Sequence, residues 1–254
     1  MDDHHDRKAS ERRFHDERYT EETRAGLAKY YTVLRASLGE FRNAARAAAA
    51  GSDVLEYGCG AEPHALEVAR DAASVVGIDL SQVAVEQASA AAAAAGLGHA
   101  TFRVMDAEAL EFDTDSFDLV YGSAILHHLD VGRAVAEIVR VLRPGGKALF
   151  IEPMGHNPAI NLYRRLTPAL RTPDEHPLRV SDLRLTSSFF NSADYRFYHL
   201  FSLAAVPFRS SRAFPKLLSG LDAIDALLFA AVPPARRLAW YVVMTLEGPK
   251  EVHG

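Results

Sequence analysis

The stretch Asp53-Val-Leu-Glu-Tyr-Gly-Cys-Gly-Ala-Glu62 decides the fold of this chain. Its apolar residues predict a short buried strand, which ends at an acidic residue followed by two glycines, and a helical apolar pattern follows over 65–69. Gly58 and Gly60 can adopt positive φ and let a ligand approach the backbone closely, and the helix behind them directs its first N–H groups at whatever binds there. The stretch therefore predicts a strand, a tight turn and a helix, with a ligand at the turn.

The glycine pattern is not specific by itself. The dinucleotide-binding pattern G-x-G-x-x-G requires a third glycine at the position that Pro63 occupies. Two interpretations stay open at this point: a ligand-binding turn, and an ordinary strand-to-helix turn of an α/β protein.

Three further predicted strands also end in polar or small residues. The second, over 73–80, contains Asp79 near its end, 19 positions after Gly60. An acidic residue about 20 positions beyond a glycine turn is placed to accept hydrogen bonds from ribose hydroxyls. The third strand precedes Asp106-Ala-Glu108 and the fourth precedes Gly122-Ser123. Because parallel strands end at a common edge, we expect the chemistry of the protein to lie there.

Six motifs, in this order and at these spacings, resemble the class I S-adenosylmethionine-dependent methyltransferases. They are Glu56-x-Gly-x-Gly60, Gly77-Ile-Asp-Leu-Ser81, Asp106-Ala-Glu108, Phe117-Asp-Leu-Val120, Leu126-His-His-Leu129 and Leu142-Arg-Pro-Gly-Gly-Lys147. The resemblance is strongest over about residues 50–155. It implies an α/β fold: a Rossmann-like three-layer αβα sandwich, with a seven-stranded, mostly parallel sheet and an N-terminal helical lid. The last strand would be antiparallel, between strands five and six.

The resemblance also implies the cofactor S-adenosyl-L-methionine, with S-adenosyl-L-homocysteine as product, and the residues that hold it. The two glycines of the turn would make room for the methionine part, Asp79 would bind the ribose diol, and Asp106 would bind the adenine amino group. Glu56 would fix the glycine loop or meet the cofactor's amino group indirectly. The complete implied set is Glu56, Gly58, Cys59, Gly60, Asp79, Leu80, Asp106, Ala107 and Ser123. Ala61-Glu-Pro63 replaces the small residues often found there, which leaves the path of the loop open.

Two adjacent histidines, His127 and His128, are the candidate catalytic residues. They follow the fourth strand, where the acceptor would enter, and a histidine with a pKa near 6.5 can remove a proton from an acceptor hydroxyl or amine. The alternative is that one ring packs and the other lies at the surface, because a free amine or an ionised acceptor needs no strong base. No metal site is expected, since the histidines are adjacent rather than one helical turn apart.

A long insertion over 152–188 follows strand five and is the predicted specificity element, because loops on a rigid scaffold carry binding. Its prolines predict breaks in regular structure. Arginines there could hold a carboxylate or phosphate of the acceptor, although a solvated surface charge is the alternative for each of them. The candidate substrate-binding residues in the insertion are Glu152, His156, Asn157, Tyr163, Arg164, Arg165 and His176.

The chain is predicted to contain one domain over 51–254, preceded by a tail and two lid helices over 1–50. Tyr19 and His15 are the lid residues expected to face the substrate, and the alternative is that the helices only pack on the sheet. Further along, a helix is predicted over 213–230 and strands over 195–201 and 238–246.

Composition narrows the class of partner. The chain has 254 residues, is 48% hydrophobic and carries a net charge of −5, so no basic excess favours a nucleic acid, and a small molecule is the expected partner.

Its single cysteine excludes an intrachain disulfide. No run reaches the ~18 apolar residues of a membrane span, and the first residues lack the apolar core of a signal peptide. We therefore expect a cytoplasmic protein without a membrane partner, and leave a homodimer open.

The favoured function is transfer of a methyl group from S-adenosylmethionine to an O, N or C atom of a small molecule, such as a bacterial secondary metabolite or its precursor. A nucleic-acid or protein methyltransferase is an alternative, but methylation of planar exocyclic amines usually involves an Asn/Asp-Pro-Pro-aromatic motif where this chain has Gly122-Ser-Ala-Ile125. A nicotinamide-dependent dehydrogenase would need the third glycine and a Tyr-x-x-x-Lys pair. A non-catalytic module that only binds the cofactor also stays open.

Overall fold

Short apolar runs build a seven-stranded sheet in the computed structural model, which describes residues 32–61, 63–167 and 176–250. The strand order is β3-β2-β1-β4-β5-β7-β6. Strands β1 to β5 are parallel, and β7 runs antiparallel to both of its neighbours. The strands are β1 Asp53–Tyr57, β2 Ser74–Asp79, β3 Ala100–Val104, β4 Phe117–Ser123, β5 Leu142–Pro153, β6 Phe190–Tyr198 and β7 Tyr241–Pro249. The predicted sheet, with its last strand antiparallel between the fifth and sixth, is confirmed.

Helices cover both faces of this sheet and bury one apolar core on each side. One core packs Ile138 against Tyr57 and Phe150, and the other packs Phe41 against Tyr121. The described helices are α1 Arg35–Ala49, α2 Ala65–Val68, α3 Gln82–Ala94, α4 Val131–Val141, α5 Pro158–Leu166, α6 Val180–Ser188 and α7 Phe214–Ala231. The three-layer αβα arrangement is therefore as predicted. Within the described ranges, none of these helices is long and apolar enough to traverse a bilayer.

The described part of the predicted N-terminal lid is a single helix on a face of the sheet. Helix α1 contacts β4, β5 and β7, and its Phe41 is fully buried. Residues 35–49 thus match the alternative of a helix that packs on the sheet. The lid candidates Tyr19 and His15 lie outside the described residues.

The described part of the insertion after β5 contains two helices. Helix α5 begins at Pro158, directly after its N-cap Asn157, where the missing N–H of proline costs no hydrogen bond and its fixed φ favours a helix. Helix α6 follows on the other side of the sheet, since its Leu183 joins the core of α4 whereas Ile160 of α5 joins the core of α1. Two prolines of the insertion lie where regular elements end or begin, as predicted: β5 ends at Pro153 and α5 begins at Pro158.

A helical stretch also joins β6 to β7. Strand β6 ends at Tyr198, before His199 at φ 67°, and β7 begins only at Tyr241, so both strands are displaced from the predicted ranges. Residues 202–208 and 233–238 are 3-10 turns that flank α7. Pro153 and Tyr198 both lie opposite Tyr241. The stretch therefore leaves and re-enters the sheet at the edge where β5 ends.

Candidate active site

The glycine turn after β1 has a backbone conformation that favours glycine. Gly58 and Gly60 have φ of 72° and 61°, in the left-handed region. A Cβ on Gly58 would lie 2.7 Å from Cγ1 of Ile125, so a larger residue would displace the Ile125 side chain. The Cys59 N–H donates to the Ile78 carbonyl at 2.8 Å, which joins the turn to β2.

Glu56 fixes this turn to the helix behind it. Its carboxylate is buried, and it accepts hydrogen bonds from the N–H groups of His64 at 2.8 Å and Ala65 at 3.0 Å. Burial raises the pKa of Glu56 to about 8, although these two hydrogen bonds act in the opposite direction. The geometry favours the first of the two roles considered for Glu56, fixing the glycine loop.

Asp79 connects the ends of the first two strands at the same edge. One carboxylate oxygen accepts the N–H of Gly60 and the other accepts the N–H of Ser81, each at 2.9 Å. A carboxylate is an acceptor of several hydrogen bonds, which suits it to the two hydroxyls of a ribose diol. Leu80 is half-buried next to it. The chemistry of this residue fits the ribose of S-adenosylmethionine.

The next strand contributes an acidic turn. Asp106 accepts the N–H of Glu108 on Oδ1 at 2.9 Å, and the hydroxyl of Tyr57 donates to the carbonyl of Ala107. Ser123 ends β4, two strands away from β2. The implied cofactor residues thus lie at the carboxyl ends of β1 to β4, as parallel strands require. These residues can offer a carboxylate to a diol and a second one to an exocyclic amine.

His127 is oriented by Glu152, which is fully buried at the end of β5. Oε1 of Glu152 accepts the N–H groups of Ile125 and Leu126, and Oε2 lies 2.8 Å from Nδ1 of His127. A carboxylate oxygen at this distance favours the tautomer whose proton is on Nδ1, which leaves Nε2 as the basic nitrogen of the neutral ring. The pair is thus arranged as a carboxylate and a histidine in which the carboxylate sets the tautomer.

His128 lies next to this pair. Its ring centroid is 4.1 Å from that of His127, with the planes tilted by 40°, and its ring is half-buried. The exposed His176 reaches the same place from the insertion, since its N–H donates to the carbonyl of His127 at 2.8 Å. The structure therefore brings three histidines together beside the end of β4.

Two predicted substrate-binding residues have structural roles instead. The carboxylate oxygens of Glu152 are engaged in the three hydrogen bonds described above. Asn157 is also fully buried: its Oδ1 caps α5, and its Nδ2 donates to the carbonyls of His199 and Leu238. Because both side chains are enclosed and bonded within the fold, we correct their assignment to structural and positioning residues.

The other substrate candidates lie at or near the surface. His156 and Arg165 are exposed, whereas Tyr163 and Arg164 are half-buried on α5. In the described ranges, no group of three or more histidine, cysteine or acidic side chains could hold a metal ion.

Sequence reasoning missed three residues that shape the site. Ala124 has φ 54°, a strained conformation for alanine, which turns the chain after β4 toward Glu152. Ile125 fills the space above Gly58, and the buried Glu108 accepts the N–H of Asp130 at 2.8 Å at the start of α4. Only Glu108 carried a signal in the sequence, as the last member of Asp106-Ala-Glu108.

Comparisons with known proteins agree with this geometry. The family described as "Methyltransferase domain" matches residues 55–150. The uncharacterized methyltransferase YcgJ of Bacillus subtilis is 31% identical over 141 residues, which are 55% of each chain. The ubiquinone/menaquinone biosynthesis C-methyltransferase UbiE of Geobacter sulfurreducens is 31% identical over 121 residues, or 46% of each chain. The chain spans about half the length of the curated relatives it matches.

A solved structure extends the similarity to most of the fold. Geranyl diphosphate C-methyltransferase from Streptomyces coelicolor, in complex with Mg²⁺, geranyl diphosphate and S-adenosyl-L-homocysteine, has a TM-score of 0.60 and 15% identity, over 86% of this chain and 80% of that one. At this identity the likeness shows the fold alone. Residues 55–150 thus match the methyltransferase domain family, and the sequence and fold comparisons together support a class I S-adenosylmethionine-dependent methyltransferase.

Proposed function

We propose that this protein transfers a methyl group from S-adenosylmethionine to a nucleophilic O, N or C atom of a small molecule. The observation that carries the proposal is the carboxylate of Asp79, which bridges the N–H groups of Gly60 and Ser81 at the carboxyl ends of β1 and β2. Asp79 would bind the ribose diol, Asp106 the adenine amino group, and the glycine turn would border the methionine part. The curated relatives and the domain family support the same cofactor.

The chemistry of the step needs orientation more than strong acid or base catalysis. S-adenosylmethionine supplies an activated methyl group on a positively charged sulfur. The acceptor's lone pair forms the new bond to this carbon as the carbon–sulfur bond breaks, and the protein holds the two reactants in line and excludes water. His127, with Glu152 on its Nδ1, would take the proton that a hydroxyl or amine acceptor loses.

The acceptor is proposed to be a small molecule. One relative supports this class by its name, the C-methyltransferase of ubiquinone/menaquinone biosynthesis. The net charge of −5 disfavours nucleic acid as a substrate. A bacterial secondary metabolite or its precursor remains the proposed kind of acceptor. The second candidate function, a non-catalytic module that binds the cofactor, is compatible with the same glycine turn and Asp79.

An acceptor screen separates these two functions. The protein would be incubated with S-adenosylmethionine and phenols, amines, enolisable ketones, and small-molecule and lipid extracts of bacteria, with formation of S-adenosylhomocysteine as the readout. We expect acceptor-dependent product with at least one class, and its loss in Asp79→Ala. Tight cofactor binding without product from any acceptor would favour the non-catalytic module.

A further inference from the structure

The helical segment over 199–240, which joins β6 to β7, exposes an unusually apolar face on α7. Three large side chains on this face are exposed: Leu217 by 36%, Ile224 by 49% and Leu227 by 71%. Their spacing of seven and three residues places them on one side of the helix, away from the buried Phe214 and Leu218. Single exposed apolar residues are ordinary, but a whole apolar face needs a partner.

This face also lacks the polar residues of a normal surface helix. Of the eleven exposed positions of α7, only Lys216 and Ser219 are polar, and the others are apolar, glycine or proline. A helix that is apolar on its outer side as well as its inner side is expected to be covered by another apolar phase. Phe208 and Val232, exposed by 54% and 44%, extend the apolar surface beyond both ends of the helix.

The charges around this face are almost all positive. The segment contains five basic residues against two aspartates, although the whole chain has a net charge of −5. They lie before, on and after the apolar helix: Arg209, Arg212, Lys216, Arg236 and Arg237.

Neither aspartate offsets these charges at the surface. Asp225 is buried and accepts the N–H groups of three successive residues, 200 to 202. Asp222 faces Nδ1 of the buried His199 at 3.8 Å and is 23% exposed. The surface around α7 is therefore both apolar and cationic.

We propose, against the sequence-based expectation of no membrane partner, that the helical segment docks on the surface of an anionic lipid bilayer. Helix α7, about 27 Å long at ~1.5 Å per residue, would lie in the plane of the interface with Leu217, Ile224 and Leu227 among the acyl chains. The exposed basic residues at both of its ends, Arg209, Arg212 and Arg237, would contact the anionic headgroups.

Charge favours a bilayer over a second copy of the chain as the occupant. A symmetric dimer through α7 would bring the same basic residues of both copies together, and like charges across an interface oppose association. An anionic membrane complements both properties of the surface at once.

The position of the segment relates docking to the candidate active site. Tyr198 and Tyr241 bound the segment at the edge of the sheet where β5 ends, the edge that also carries Asp79 and Glu152. Docking would therefore hold that edge close to the bilayer. The docking itself does not depend on the proposed methyl transfer.

The test is co-sedimentation of the protein with vesicles of phosphatidylcholine alone or with phosphatidylglycerol at a 7:3 ratio (about 30% anionic lipid). We expect binding to the anionic vesicles only, and weakening as salt is raised. Leu227→Asp should lower the partition coefficient about tenfold or more, because it removes a buried leucine from the interface. The double variant Arg209→Glu/Arg212→Glu should lower the partition coefficient by about fivefold or more for each arginine replaced.

Matched controls lie on α6, where Leu185 and Arg184 are also exposed. Leu185→Asp and Arg184→Glu should bind vesicles like the unchanged protein, and circular dichroism would check that every variant is folded. Failure of the folded protein to sediment with anionic vesicles, or equal effects of the α6 and α7 variants, would overturn the proposal. A concentration-dependent dimer in solution that Leu227→Asp abolishes would assign the face to a second copy and overturn it as well.

Discussion

At the scale of single residues, the clearest relation between structure and chemistry is the pairing of His127 with Glu152. The sequence separates them by 25 positions, and adjacent strands bring them together because β4 pairs with β5. The carboxylate also accepts two backbone N–H groups, so one buried residue fixes both the turn after β4 and the histidine on it.

This pairing predicts the behaviour of Glu152→Gln. A glutamine amide would donate to Nδ1 of His127 and place the ring's proton on Nε2, which removes the basic nitrogen from the acceptor side. If the acceptor must lose a proton, turnover should fall by about 10²–10⁴-fold, with a changed pH profile and an unchanged affinity for the cofactor.

Exposed Glu111→Gln is the matched control for that variant, measured by steady-state kinetics across pH and by cofactor titration. Equal turnover and equal pH profiles for the two variants would show that His127 and Glu152 take no part in proton transfer. The acceptor would then be one that loses its proton without help from the protein.

Buried Glu56 predicts a pH dependence of stability. Its pKa is about 8 in the folded protein against 4.5 ordinarily, so the folded state keeps a proton that the unfolded chain releases. The stability from this group is fully present below pH 4.5 and is lost as pH rises through 8. The free energy of unfolding should therefore fall relative to that of Glu56→Gln by roughly 1–3 kcal/mol between pH 5 and 9. The free energy of unfolding would be measured by denaturant titration at each pH. If it changed with pH equally in the unchanged protein and in Glu56→Gln, the raised pKa would be contradicted.

At the scale of elements, Asn157 holds three parts of the fold together. It caps α5 and donates to the carbonyls of His199, after β6, and Leu238, before β7. It thereby attaches the insertion to the helical segment over 199–240 at the edge of the sheet that carries the candidate site.

We predict that Asn157→Ala lowers the free energy of unfolding by about 2–4 kcal/mol, since it removes a helix cap and leaves buried backbone groups unpaired. Affinity for the cofactor should change little, because Asn157 touches none of the implied cofactor residues. Asn43→Ala, at an exposed position of α1, should stay within about 0.5 kcal/mol of the unchanged protein. If chemical denaturation showed almost the same free energy of unfolding for Asn157→Ala and the unchanged protein, Asn157 would not be a strong attachment between α5 and the helical segment.

At the scale of the whole molecule, the sequence predicted the sheet better than it predicted the helical additions. The strand ends carried their own signals, such as the glycine turn and Asp79, because the backbone there needs particular residues. Pro158 marked an element boundary but not the helix that begins there, since proline breaks a helix in its interior and favours one at its first turn. Burial is also invisible in the sequence, so Glu152 and Asn157 could not be told apart from surface residues such as His156. The apolar outer face of α7 became visible only when the fold showed which side of the helix packs inward.

The central claim is that the edge formed by the glycine turn, Asp79 and Asp106 holds S-adenosylmethionine. Isothermal titration calorimetry with S-adenosylmethionine, S-adenosylhomocysteine and NADH tests it most directly, using Asp79→Ala and the exposed control Asp113→Ala. The account predicts binding of both sulfur compounds and not of NADH, weakened by about 1–3 kcal/mol in Asp79→Ala alone. Binding of NADH, no binding of either sulfur compound, or an Asp79→Ala protein with undiminished affinity would contradict it.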